Sequence, residues 1–155
     1  MHVIGRLTLP AMCFLLQKAS GIPPIRRGMR VIWQLKRQIL LVDDSPLALR
    51  SIKAMLDTKY DVVVATSGEK ALVTAKKSLP DLVLLDYEMP GWDGRKTLEE
   101  LRNDEEIGDI PVVFLTGVAD KEHIAAVLGM NPQGYLLKPV DKDKLLNTIK
   151  KVFEE

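Results

Sequence analysis

The chain has 155 residues, 46% of them hydrophobic and 28% charged. That length suits one domain, and that composition excludes a wholly disordered chain, a collagen-like chain and a disulfide scaffold. The formal net charge of +1 hides an asymmetry. Residues 1 to 42 hold seven Lys or Arg and no acid, which leaves 15 of the 22 basic residues against all 21 acids. A basic head of +7 therefore precedes an acidic body of −6.

The head comes first. Its apolar stretch Leu7 to Leu16 is broken by Thr8 and Pro10 and falls short of the roughly 18 apolar residues of a membrane span. It has the length of a signal-peptide core, with Arg6 before it and Ala19, Ser20 and Gly21 after it. The intracellular character of the body argues against secretion. Cys13 stands alone and cannot form an internal disulfide, so a reducing, cytoplasmic compartment is expected. Gly21, Pro23, Pro24 and Gly28 read as linker. Arg26, Arg27 and Arg30 would attract nucleic acid or anionic lipid. The plainer reading is a disordered extension, or translation begun upstream of a natural start at Met29. We expect residues 1–37 to be such an extension, with no direct nucleic-acid or membrane contact. Residues 38–155 are expected to form the domain.

The body alternates apolar runs with helical spacing. The runs are Ile39 to Val42, Val62 to Ala65, Leu82 to Leu85, Val112 to Leu115 and Tyr135 to Leu137. Unbroken runs predict parallel strands buried on both faces. The first helix should start at Ser45 as N-cap with Pro46 behind it, and bury Ala48, Ile52, Met55 and Leu56. The second should start at a capping box, Thr66 to Glu69, and bury Ala71, Ala75 and Leu79. Leu98 and Leu101 follow Gly94. Ile124, Val127 and Leu128 follow Asp120, with Gly129 as the stop. Leu145, Ile149, Val152 and Phe153 follow Asp141. Five strands alternating with five helices predict a doubly wound α/β domain with right-handed crossovers.

In an open parallel sheet the site lies beyond the carboxyl ends of the strands. The residues there are Asp43 and Asp44, then Asp86, Thr116 and Lys138. A lone Asp at a strand end is usually a helix cap. Three carboxylates, a hydroxyl and an ammonium at four of five strand ends go beyond capping. Carboxylates gathered in a partly dry pocket repel each other, and all-oxygen ligands select a hard ion such as Mg2+. The set suits phosphoryl transfer. Asp86 would be the nucleophile, with the metal, Lys138 and Thr116 on the phosphoryl oxygens.

With these residues in place, the body resembles the receiver domain of bacterial two-component response regulators. The marks are ILLVDDS at 39–45, LVLLDYEMPGWDG at 82–94, VVFLTG at 112–117 and GYLLKP at 134–139. The resemblance implies a (βα)5 flavodoxin-like fold with strand order 2-1-3-4-5. It implies that Asp86 accepts phosphate from a histidine kinase's phosphohistidine. Asp44, Asp86 and the backbone carbonyl of Glu88 would ligate Mg2+, with Asp43 acting through water. Lys138 would pair with Asp86 and then with its phosphate, across a cis Lys138–Pro139 bond. Thr116 would move to the phosphate and let Tyr135 turn inward, which reshapes the face of the fourth helix, fifth strand and fifth helix. Glu88 and Val118 stand where this family tunes loss of the phosphate to water, and an apolar Val118 cannot orient water. Gly117 replaces the Ala often found after the switch Thr, which would loosen that loop.

Other residues have plainer readings. Tyr135 could be a strand aromatic half covering the core. Trp92, on a loop at the rim, is either a partner contact or a packing lid. His2 and His123 lack a ligand partner by spacing and read as surface.

The resemblance implies a signalling switch rather than a turnover enzyme. A sensor histidine kinase or a histidine phosphotransfer protein would be the phosphate partner. The output would be an unnamed protein, and a phosphorylation-dependent dimer is compatible. With one helix after the last strand, we expect a stand-alone receiver without a DNA-binding output domain. The alternatives are an aspartyl-phosphate phosphatase, a flavodoxin proper, and a receiver working without phosphorylation. The first wants an early DxDx[TV]-like motif, which the double Asp does not supply. The second wants a phosphate loop where Asp43 and Asp44 would repel phosphate.

Overall fold

The computed structural model describes residues 36–154. Nearly all of the expected extension, with His2, Cys13 and Met29, lies outside the described residues. The elements run β1 (Gln38–Val42), α1 (Pro46–Leu56), β2 (Asp61–Ala65), α2 (Gly68–Ser78) and β3 (Leu82–Asp86). They continue α3 (Gly94–Asn103), β4 (Val112–Thr116), α4 (Lys121–Leu128), β5 (Gly134–Leu137) and α5 (Lys142–Glu154). All strand pairs are parallel, in the order β2-β1-β3-β4-β5. This is the (βα)5 flavodoxin-like topology that the apolar runs and the resemblance imply.

Side chains alternate across a strand, so a central strand feeds two cores. Leu40, Val42, Val83, Leu85, Val112 and Phe114 pack with Ala71, Ala75, Leu98, Leu101 and Val127 of α2, α3 and α4. Ile39, Leu41, Leu82, Leu84, Val113 and Leu115 pack on the other face with Leu49, Ile52 and Leu56 of α1 and Leu145 and Ile149 of α5. Burial on both faces holds for β3 and β4 throughout. It fails for β2 and β5, the sheet edges, where Val64 and Leu137 are each 42% exposed. An unbroken apolar run does not reveal that its strand has a neighbour on one side only.

The helix starts are mostly as expected. Ser45 accepts from the Ala48 N–H at 3.3 Å, with Pro46 in the first turn. For α2 the cap is Ser67, one residue later than the predicted box, accepting from the Lys70 N–H at 3.2 Å. The Thr66 hydroxyl meets the Lys70 ammonium instead. Two helical faces differ as well. Leu79 is the C-cap of α2, left-handed at φ 47°, and faces solvent. Leu128 ends α4 half exposed, so Val127 anchors that helix. No helix of the described residues is long and apolar enough to cross a membrane.

Candidate functional site

The fold sets four strand ends side by side. Asp43 follows β1 and is fully buried. Its backbone N–H bonds Ala65 O at 3.2 Å. Its Oδ1 accepts from the Ser45 N–H at 2.8 Å and its Oδ2 from Lys138 Nζ at 2.7 Å. Both oxygens are therefore engaged, while the neighbouring Asp44 is exposed. Asp86 ends β3 and is 2% exposed. Lys138 follows β5, and its N–H bonds Thr116 O at 2.8 Å, which ties the end of the edge strand to β4. The Lys138–Pro139 bond is cis.

Lys138 Nζ bridges the two buried carboxylates, at 2.7 Å from Asp43 Oδ2 and 2.9 Å from Asp86 Oδ1. Burial pushes the Asp86 carboxyl up to about 6; Asp43 and Glu88 add repulsion, and Lys138 offsets only part of this. Burial also opposes the Lys138 ammonium, but Asp43 and Asp86 outweigh it and hold its pKa above the usual lysine value.

The cluster suits a divalent cation. Asp43, Asp44 and Asp86 each offer an oxygen within 4.8 Å of the others. Three carboxylates facing one ammonium leave two negative charges when all are ionised. Asp86 Oδ1 is buried and faces the Lys138 ammonium at 2.9 Å, so one cation is shared between two buried carboxylates. An oxygen-only donor set matches Mg2+.

Thr116 ends β4, fully buried. Its hydroxyl bonds neither Asp86 nor Lys138 but donates to Glu88 Oε1 at 2.7 Å and meets His123 Nε2 at 2.9 Å. So Asp43, Asp44, Asp86 and Lys138 converge as expected, and Thr116 joins a second cluster beside them. In the sequence, Glu88 counts for its backbone carbonyl and as a position that tunes loss of the phosphate; its side chain turns out to bridge the β3 and β4 loops, since Oε2 accepts from the Gly117 N–H at 3.2 Å. His123 is not simply surface. Its side chain is 18% exposed and stands edge-on to Tyr87, with ring centroids 4.6 Å apart. The signal was its place in the first turn of a helix that begins just after the Thr116 loop.

Tyr135 is half-buried on the α3–α4 side, beside Phe114 in register. Trp92 packs on Gly68 and carries the Lys96 ammonium 5.7 Å from its ring centroid, which fits a packing lid. An added Cβ at Gly117 would meet nothing within 4 Å.

A profile described as the response regulator receiver domain matches residues 39–150. The chain belongs to that family. The receiver is 35% identical to Protein PilH of Pseudomonas aeruginosa over 116 residues, 74% of this chain and 96% of that one. It is 34% identical to the nitrate/nitrite response regulator protein NarL of Escherichia coli over 114 residues, 72% of this chain. It spans about half, 52%, of NarL. Among solved structures, chemotaxis protein CheY4 of Vibrio cholerae matches with a TM-score of 0.70 at 28% identity, covering 76% of this chain and 98% of that one. A putative response regulator from Chloroflexus aurantiacus matches with a TM-score of 0.73 at 28% identity, covering 77% and 99%.

Proposed function

We propose that this receiver is a phosphorylation-controlled switch in cytoplasmic two-component signalling. Asp86 takes the phosphoryl group from the phosphohistidine of a sensor histidine kinase or a histidine phosphotransfer protein. A carboxylate oxygen attacks phosphorus, the N–P bond breaks, and the imidazole leaves with the pair of electrons and is protonated. Asp44, Asp86 and the Glu88 backbone carbonyl would hold Mg2+, with Asp43 acting through water, in keeping with its two engaged oxygens. The metal supplies positive charge to the phosphoryl oxygens. Lys138 keeps one ammonium on the same side of the site. Thr116 then bonds a phosphoryl oxygen, Tyr135 turns inward, and the face of α4, β5 and α5 changes its fit for an output protein.

The observation that carries this reading is the Lys138 ammonium seated between Asp43 and Asp86 inside a three-carboxylate cluster. Acetyl phosphate with Mg2+ should add about 80 Da, one phosphoryl group, to the protein. Retention of that mass by Asp86→Ala overturns the assignment. Capture with and without beryllofluoride, followed by mass identification, should then show a partner bound to one form only.

A further inference from the structure

A threonine hydroxyl has one proton to donate and two lone pairs with which to accept. At Thr116 all three are in use. The proton goes to Glu88 Oε1 at 2.7 Å. One lone pair accepts from the Val118 N–H at 3.3 Å. The other faces His123 Nε2 at 2.9 Å. With the single proton on the Glu88 bond, the Thr116 oxygen can only accept from His123, so Nε2 is the donor in that contact.

The two partners of Thr116 are themselves held. Glu88 Oε2 accepts from the Gly117 N–H, and Oε1 lies 3.5 Å from His123 Nε2. His123 is fixed by the Asp120 cap, whose carboxylate accepts from the His123 N–H at 2.9 Å, and by the Tyr87 ring. The cluster thus joins the β3 loop, the end of β4 and the first turn of α4. A phosphoryl group offers ionised oxygens that act as acceptors. Thr116 can bond one of them only by withdrawing its proton from Glu88.

We propose, on the reading that Asp86 is the phosphoryl acceptor, that the Glu88 carboxylate, propped by His123, is a positioning residue that withholds the Thr116 hydroxyl until phosphorylation displaces it. The Glu88–Thr116 bond and the Thr116–phosphoryl bond exclude each other. Moving the hydroxyl also breaks its contact with His123, so α4 receives the signal directly from the hydroxyl that moves.

Glu88 has a second, plainer effect, because its charge opposes any anion at Asp86. A double-mutant cycle separates the two. Beryllofluoride with Mg2+ is titrated by calorimetry into the full chain carrying Thr116 or Thr116→Ala, each with Glu88 or Glu88→Ala. The latch predicts that Glu88→Ala tightens binding by about tenfold when Thr116 is present, the ratio expected for losing a competing hydrogen bond to a charged group. In the Thr116→Ala background the gain should shrink to about twofold or less. Equal gains in both backgrounds leave charge repulsion alone and overturn the latch. His123→Phe keeps a ring against Tyr87 and removes the Nε2 donor. It should tighten binding by about threefold with Thr116 present and not without it, and it carries the cycle should Glu88→Ala fail to fold. In the wild type without ligand, nitrogen-15 shifts should place the His123 proton on Nε2. A proton on Nδ1 with none on Nε2 contradicts the latch whatever beryllofluoride does. Failure of the wild type to bind beryllofluoride counts instead against Asp86 as acceptor.

Discussion

The Lys138 ammonium lies 2.9 Å from Asp86 Oδ1, yet burial outweighs its attraction. The Asp86 carboxyl stays up at about 6, against an ordinary 3.8. Between those values the folded protein keeps a proton that the unfolded chain has lost. The contribution of this group to stability is therefore fully present below the lower value and is lost as pH rises through about 6, by as much as about 3 kcal/mol. Asp86→Asn has no such charge to bury. Urea unfolding should find it more stable than the wild type at pH 8, by about 1 to 3 kcal/mol. The difference should close near pH 3.5. A variant no more stable at pH 8 would show that Lys138 fully compensates the charge.

Asp44 gives a test of the metal site that leaves the core alone, because it is exposed and belongs to neither packed core. Magnesium at a hundred times its dissociation constant should stabilise the wild type by about 2.7 kcal/mol. Asp44→Asn should lose most of that gain while melting normally in chelator. Equal gains in the two proteins, read from melting midpoints with and without Mg2+, would remove Asp44 from the ligand set.

Gly68 opens α2 where Trp92 and α3 press closest. A Cβ there would run into Thr97 Oγ1 and stand 2.7 Å from Trp92 Cβ. Neither neighbour yields easily, since Thr97 Oγ1 bonds Asp93 O at 2.8 Å and the Trp92 Cβ is fixed to its backbone. Gly68→Ala should cost about 1 to 3 kcal/mol, with a change in tryptophan fluorescence. Unchanged stability and emission would mean that the α2–α3 contact is loose.

Much of this fold can be read from the chain, and the reasons differ by element. The central strands announce themselves, because Leu82 to Leu85 and Val112 to Leu115 are apolar for the same reason that they are buried: helices cover both faces. Strand ends are equally legible, since Asp43, Asp86 and Lys138 break apolar runs with charge. The edge exposure of Val64 and the solvent-facing Leu79 and Leu128 depend on what lies beside them, which no local pattern encodes. The Glu88–Thr116–His123 cluster was hidden for a related cause. Its members come from the β3 loop, the end of β4 and the first turn of α4, 28 residues apart for Thr116 and Glu88 and seven for Thr116 and His123, and only the assembled sheet makes them neighbours.

Val118 stands two residues beyond Thr116 and is 37% exposed. Its isopropyl group can neither donate to water nor accept from it. The phosphorylated wild type should outlast phosphorylated Val118→Glu by roughly tenfold, on the scale of one positioned proton acceptor. Equal decay of the 80 Da adduct, about one phosphoryl group, in both proteins would place the lifetime elsewhere.

The basic head is proposed to be dispensable to the receiver, because the five βα units lie within residues 36–154. Starting the chain at Met29 should leave the melting midpoint and Asp86 labelling unchanged. A drop of several degrees would show that residues before Met29 pack on the domain.

The ion pair between Lys138 and Asp43 joins residues 95 positions apart. Its carboxylate is fully buried at the end of the interior strand β1, and its ammonium follows the least covered strand, four residues long and paired only with β4. Contacts so distant in sequence form late, and edge strands open first. Amide protons around Lys138 should accordingly exchange with solvent before those of β3. A nascent chain whose last βα unit has not docked holds two interior carboxylates with no counter-ion. On the proposed function, competence to receive phosphate is thereby tied to completion of the fold.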